Sequence, residues 1–196
     1  MQVRLTLVSS GVTPAMRRGA FPAAPPDEVG LDEGMRGRAA ALRPVLALSG
    51  EGTALVAPDI RAGQTAAALG LAAEPEHALR DQDFGTWSGR AIDEVGREDP
   101  QALAAWLTDP DIRPGGGESF SAVVQRVTSW LKGLRTSPGH MVAVTHAAVI
   151  RAAILAVIGA PPGCFARIDV APLSLAELRG DGRRWMLRAM GVTADR

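Results

Sequence analysis

Three times along the chain a short apolar run ends in small or polar residues. Val3–Val8 runs into Ser9-Ser10-Gly11, Thr53–Ala57 into the segment that carries Asp59 and Arg61, and Met141–Val144 into Thr145-His146. Stretches with helical character lie between these runs, from about Met35 to Leu48, from Asp59 to Leu69 and from Ala147 to Ile158. Strand and helix in alternation favour a parallel sheet, because parallel neighbours need long crossover connections that are usually helices. The predicted fold class is therefore α/β: a mainly parallel central sheet covered on both faces, as a three-layer α/β/α sandwich, with residues 1–196 forming one domain. In such sheets ligands gather at the carboxyl ends of strands and at helix N-termini. If the three strands are neighbours, two hydroxyls, a guanidinium and an imidazole converge on one anion-sized space.

Other segments fill in this frame. Met16 to Glu33 lacks periodicity and is rich in Pro, Ala and Arg, which predicts a long surface loop. The stretch 77–89 predicts a brief strand entering a glycine-punctuated turn, and two short helices are expected between Ala91 and Leu107. Phe120, Val123, Val124, Val127, Trp130, Leu131 and Leu134 recur at three- and four-residue spacing, the clearest amphipathic helix in the chain. Two terminal strands, near Ser174–Leu178 and Trp185–Ala189, flank the turn "RGDGR".

Composition narrows the function classes. The 21 basic and 21 acidic residues balance, so no global field favours nucleic acid or an anionic membrane. The single cysteine, Cys164, excludes an internal disulfide and a cysteine-based zinc site. The Ala147–Ile158 stretch is apolar all round but too short to span a bilayer. The N-terminal apolar run is too short for a signal peptide. The expectation is a cytoplasmic, reduced protein with a small-molecule partner, no nucleic acid and no membrane, with room for a homodimer.

Five segments, in order, resemble the histidine phosphatase superfamily in its phosphoglycerate mutase-like and ribazole phosphatase-like branch. "LTLVSSGVT" (5–13) sits where the family has a strand followed by Arg-His-Gly-Glu-Thr, and "APDIRAGQTAAAL" (57–69) is similar to its Ser-Pro-Leu-x-Arg-Ala-x-Gln-Thr-Ala helix. "LRDQDFGTWSGR" (79–90) resembles Leu-x-Glu-x-x-Phe-Gly-x-Trp-Glu-Gly. "PGGGESFSAVVQRV" (114–127) is similar to the Gly-Glu-Ser segment and its helix, and "VAVTHAAVIRAAI" (142–154) to Val-x-Val-x-His-Gly-Gly-x-Ile-Arg. The resemblance implies a phosphoglycerate mutase-like fold. It also implies a metal-independent phosphomonoesterase mechanism without a cofactor, in which a histidine attacks phosphorus and becomes a phosphohistidine. Arginines and a second histidine hold the phosphoryl oxygens, and a carboxylic acid protonates the leaving group.

Carried over by position, the resemblance puts Arg61 on a phosphate arginine, His146 on the second histidine and Asp81 on the acid. Arg18 falls near a further phosphate-loop arginine, and Gly11 and Ala147 fall among the phosphate-binding positions. Ser10 stands on the nucleophilic histidine and Ser9 on the arginine before it, while Ala147-Ala148 replace paired glycines. The site expected is thus Ser10, Asp81 and His146 in the catalytic positions, with Ser9, Gly11, Arg18, Arg61 and Ala147 around the phosphate or other small anion, and no metal. A hydroxyl is a poor nucleophile without a base in reach, and losing a catalytic nucleophile costs roughly a millionfold in rate. Three readings stay open. The chain is a diverged pseudoenzyme or repurposed relative; it is an active phosphomonoesterase or phosphomutase in which Ser10 replaces the histidine; or it is a rearranged serine phosphotransferase, with His146 as the base for Ser10 and Asp81 as acid. Arg151 either supports the pocket from behind or pairs with an acid.

Overall fold

The computed structural model describes residues 3–25, 27–46, 52–134 and 139–194. Val3–Ser9 forms β1, whose apolar residues Val3, Leu5, Leu7 and Val8 are all buried. A strand covered on both faces reads as an apolar run with little alternation, and β1 lies deep inside the sheet for that reason. It pairs in parallel with β4 (Gly139–Thr145) and antiparallel with β5 (Leu175–Gly180). With β2 (Thr53–Val56), β3 (Glu74–Pro75) and β6 (Trp185–Val192), the six strands run in the order β3-β2-β4-β1-β5-β6. The first four strands are mutually parallel and the last two antiparallel, so the sheet is mainly parallel as expected.

This order distributes the helices. The connections from β1 to β2 and from β2 to β3 step one way along the sheet, and that from β3 to β4 steps back. Right-handed crossovers put such opposed connections on opposite faces. α2 (Glu33–Ala40) accordingly packs on α4 (Ile60–Ala68), while α7 (Phe120–Leu134) packs along α8 (Ala147–Ile158). Asp59 caps α4 by accepting from the Ala62 amide, as its position before the helix predicts. α8 ends at Gly159, which adopts the left-handed conformation (φ 69°) that closes helices without a Cβ penalty. Among the described residues no helix is long and apolar enough to cross a membrane.

Several local expectations shift. α1 (Pro14–Arg17) occupies the start of the expected 16–33 loop, because Thr13 accepts from the Met16 amide and Pro14 suits the first helical position. The helix expected over 35–48 appears as α2 and a short α3 (Arg43–Leu46), with Ala47 and Leu48 outside the described residues. No strand forms at the start of 77–89: residues 77–79 make a tight 3₁₀ turn, and the edge strand β3 lies just before it. The two helices expected between 91 and 107 are α5 (Ile92–Glu98) and α6 (Pro100–Thr108).

Candidate active site at the strand ends

The register of β1 against β4 builds the site. Ser9 lies opposite Thr145, so the next residues on each strand, Ser10 and His146, emerge side by side. The Ser10 amide donates to the Thr145 carbonyl, and Ser9 is held through its backbone, its amide donating to Ser174 and its carbonyl accepting from Leu173. Leu173 is left-handed (φ 59°), the single non-glycine residue so placed among those described. β2 delivers Asp59 and Arg61, and Thr145 Oγ1 donates to the Leu79 carbonyl, fixing the segment that carries Asp81. Arg126 binds the Ala78 and Arg80 carbonyls, and Gln82 the Glu118 carbonyl, holding that segment from the other side.

Ser10, Arg61 and His146 are 3%, 8% and 1% exposed, so their polar atoms must find partners within the protein. Asp59 Oδ2 sits 2.5 Å from His146 Nε2, and Ser10 Oγ lies 3.0 Å from Nδ1 of the same ring. Arg61 donates to Ser10 Oγ at 3.2 Å and forms an ion pair with Asp81. Asp81 is also 3.9 Å from His146 Nδ1, and Asp59 is 3.7 Å from the Arg61 guanidinium. Burial alone raises the Asp59 carboxyl, but the hydrogen bond and charge of His146, the charge of Arg61 and the Ala62 amide outweigh it, and its pKa falls to about 2. Asp59 is therefore a carboxylate at neutral pH.

A cavity of 240 Å³ opens on this cluster. Ser9, Ser10, Arg61, Asp81, His146, Ala147 and Ala148 line it together with Phe21, Phe84 and Trp106. These three rings pack on one another, tilted or edge to face, at centroid distances of 5.1 to 6.1 Å. Arg151 also lines the cavity, its Nε donating to the Ile168 carbonyl. Burial lowers its pKa, opposed by the charges of Asp169 and Asp81; an arginine remains a cation regardless.

The structure thus gathers Ser9, Ser10, Arg61, Asp81, His146 and Ala147 around one space and leaves two expected residues outside it. Gly11 does not line the cavity, and its amide is taken up by Thr65 Oγ1 at 3.1 Å. Its lack of a side chain serves packing, since a Cβ there would meet Met35 Cγ at 2.7 Å. Arg18 is exposed just past the end of α1 and does not line the cavity. Trp87 is buried with Phe21, Phe84 and Val95 and does not line the cavity. Sequence reasoning missed Asp59 as the partner of His146, having placed it only at the start of the 59–69 helix, and left Arg151 undecided. The spacing held a clue for Arg151: it lies four residues after Ala147 and so shares its helix face.

A β3-β2-β4-β1-β5-β6 sheet with a buried imidazole, a guanidinium and carboxylates at its strand ends defines a mainly parallel α/β class, and comparison with known proteins names the family. Residues 11–193 match the histidine phosphatase superfamily (branch 1), and the chain belongs to it. The bifunctional protein Rv2228c of Mycobacterium tuberculosis is 34% identical over 123 residues, covering 60% of this chain and 33% of its own. Phosphoserine phosphatase 1 of Hydrogenobacter thermophilus is 26% identical over 133 residues, covering 66% of this chain and 63% of its own. The chain thus spans about one third of the length of the first of these relatives. Among solved structures, a mycobacterial glucosyl-3-phosphoglycerate phosphatase superposes with a TM-score of 0.86 at 24% identity, over 98% of this chain and 100% of that one. The α-ribazole phosphatase of Shigella flexneri does so with a TM-score of 0.84 at 24% identity, over 96% of each chain. These likenesses show the fold, phosphoglycerate mutase-like.

Proposed function

We propose that this chain is a repurposed histidine phosphatase that binds a small phosphorylated molecule or other small anion at the ends of β1 and β4 without forming a phosphohistidine. One observation carries the reading: Arg61, Arg151 and His146 face one cavity, and the side chain at the nucleophile position is the Ser10 hydroxyl. A hydroxyl cannot supply the phosphohistidine, and Ser9 supplies no positive charge beside it. Asp81, which also lines the cavity, and Asp59 behind it both pair with Arg61, so Arg151 is the lining guanidinium that no carboxylate meets among the described residues. Similarity to phosphatases of phosphoserine, glucosyl-3-phosphoglycerate and α-ribazole phosphate supports a small phosphorylated ligand.

Calorimetry with inorganic phosphate and a phosphate-release assay on a monoester panel test this. Binding is expected to weaken by about tenfold or more in Arg61→Ala, the loss of one charge-assisted contact. The unchanged chain is expected to release no phosphate, and Ser10→His with Ser9→Arg to gain release. Phosphate release by the unchanged chain, or absence of phosphate binding, would overturn the reading. Turnover restored by Ser10→His alone would favour an active phosphomonoesterase in which Ser10 replaces the histidine.

A further inference from the structure

We propose that Ser10, His146 and Asp59 form a base-activated serine nucleophile that hydrolyses carboxylic esters. The hydrogen-bond order fixes the direction of proton flow. The Asp59 carboxylate can only accept, so in the neutral ring Nε2 carries the proton and Nδ1 presents its lone pair to Ser10 Oγ. The hydroxyl donates to Nδ1 at 3.0 Å and accepts from Arg61 at 3.2 Å, which stabilises negative charge developing on Oγ. Nucleophile, base and a third group that orients the base form the relay of a serine hydrolase, which is recognised by geometry and roles rather than by chain order. The two ring nitrogens exchange places relative to the chymotrypsin template, which leaves the proton path intact.

The surroundings also suit a neutral electrophile. Asp81, the carboxylate that lines the cavity, is paired with Arg61, and Phe21, Phe84 and Trp106 also line it, which suits an apolar acyl group. A serine phosphoester would be a stable end point, whereas an acyl-serine is opened by water with the same base. Ser10 Oγ bonds to the carbonyl carbon, its proton passes to Nδ1, and the carbonyl electron pair moves onto oxygen beside Arg61. Collapse breaks the bond to the alkoxy oxygen, which takes the proton from Nδ1 and leaves as the alcohol. Water then attacks the acyl-Ser10, gives a proton to Nδ1, and on collapse that proton returns to Oγ as the carboxylic acid departs. Water is the one co-reactant.

The purified chain is treated with a fluorophosphonate, which labels base-activated serines with loss of fluoride, and assayed with p-nitrophenyl butyrate. An adduct mapped to Ser10 by peptide mass spectrometry is expected, together with release of p-nitrophenol. Ser10→Ala should abolish both, and Asp59→Asn should lower kcat up to about 10⁴-fold by turning the ring to the wrong tautomer, with thermal melts confirming that each variant folds. No adduct on Ser10 in the unchanged chain, or butyrate hydrolysis undiminished in Ser10→Ala, would overturn the proposal. Calorimetry with phosphate on the same preparation separates the two readings. Phosphate binding without a Ser10 adduct removes only the esterase, and an adduct without phosphate binding removes only the anion site.

Discussion

Asp59 serves two elements with its two oxygens: Oδ1 accepts the Ala62 amide at the start of α4, and Oδ2 holds the His146 ring at the end of β4. Its pKa of about 2, against an ordinary 3.8, makes it an acid-sensitive tie. As pH falls, the unfolded chain takes up this proton first. The stabilisation, about 2 kcal/mol, is therefore complete above about pH 4 and lost as pH falls through about 2. Urea titrations of the unchanged chain should show that loss between these values, and Asp59→Asn should flatten the profile there. Asp59 also marks where reading the sequence stopped short. Its capping role follows from position alone, whereas its hold on His146 depends on β2 and β4 being neighbours, a contact between residues 87 positions apart.

At the scale of elements, α7 was legible from the three- and four-residue spacing of its apolar residues, and β1 and α8 from apolar runs of strand and helix length. The segment 77–89 was not, because its fold is set by a partner. Gly85 has φ 52° and Gly115 φ 56°, and the two turns lock backbone to backbone. A Cβ on Gly117 would stand 2.1 Å from the Asp83 carbonyl oxygen, and one on Gly115 2.5 Å from that of Phe84. The glycine run 115–117 thus lets two loops touch. Gly117→Ala should destabilise the protein by about 1–3 kcal/mol, the usual cost of overpacking. It should also weaken phosphate binding by displacing Asp81 and Phe84. Thermal melts and calorimetry read the two effects separately.

For the whole molecule, the core runs from β1 and β4 out to α8, where Ile150, Ile154 and Leu155 are fully buried. Ile150→Ala should cost about 2–5 kcal/mol in urea unfolding, since the cavity left beside a packed sheet cannot close. The fold class was readable because strand and helix alternate through most of the chain. The strand order was not, because pairing between β1 and β4 joins residues more than 130 positions apart. The site depends on that pairing, which gathers groups from three strand ends. Positions 9 and 10 are anchored there by main-chain bonds to Leu173, Ser174 and Thr145, none of which uses a side chain. Shape and chemistry are thus separable at this spot: the bonds that place the backbone of positions 9 and 10 are the same whichever side chains stand there.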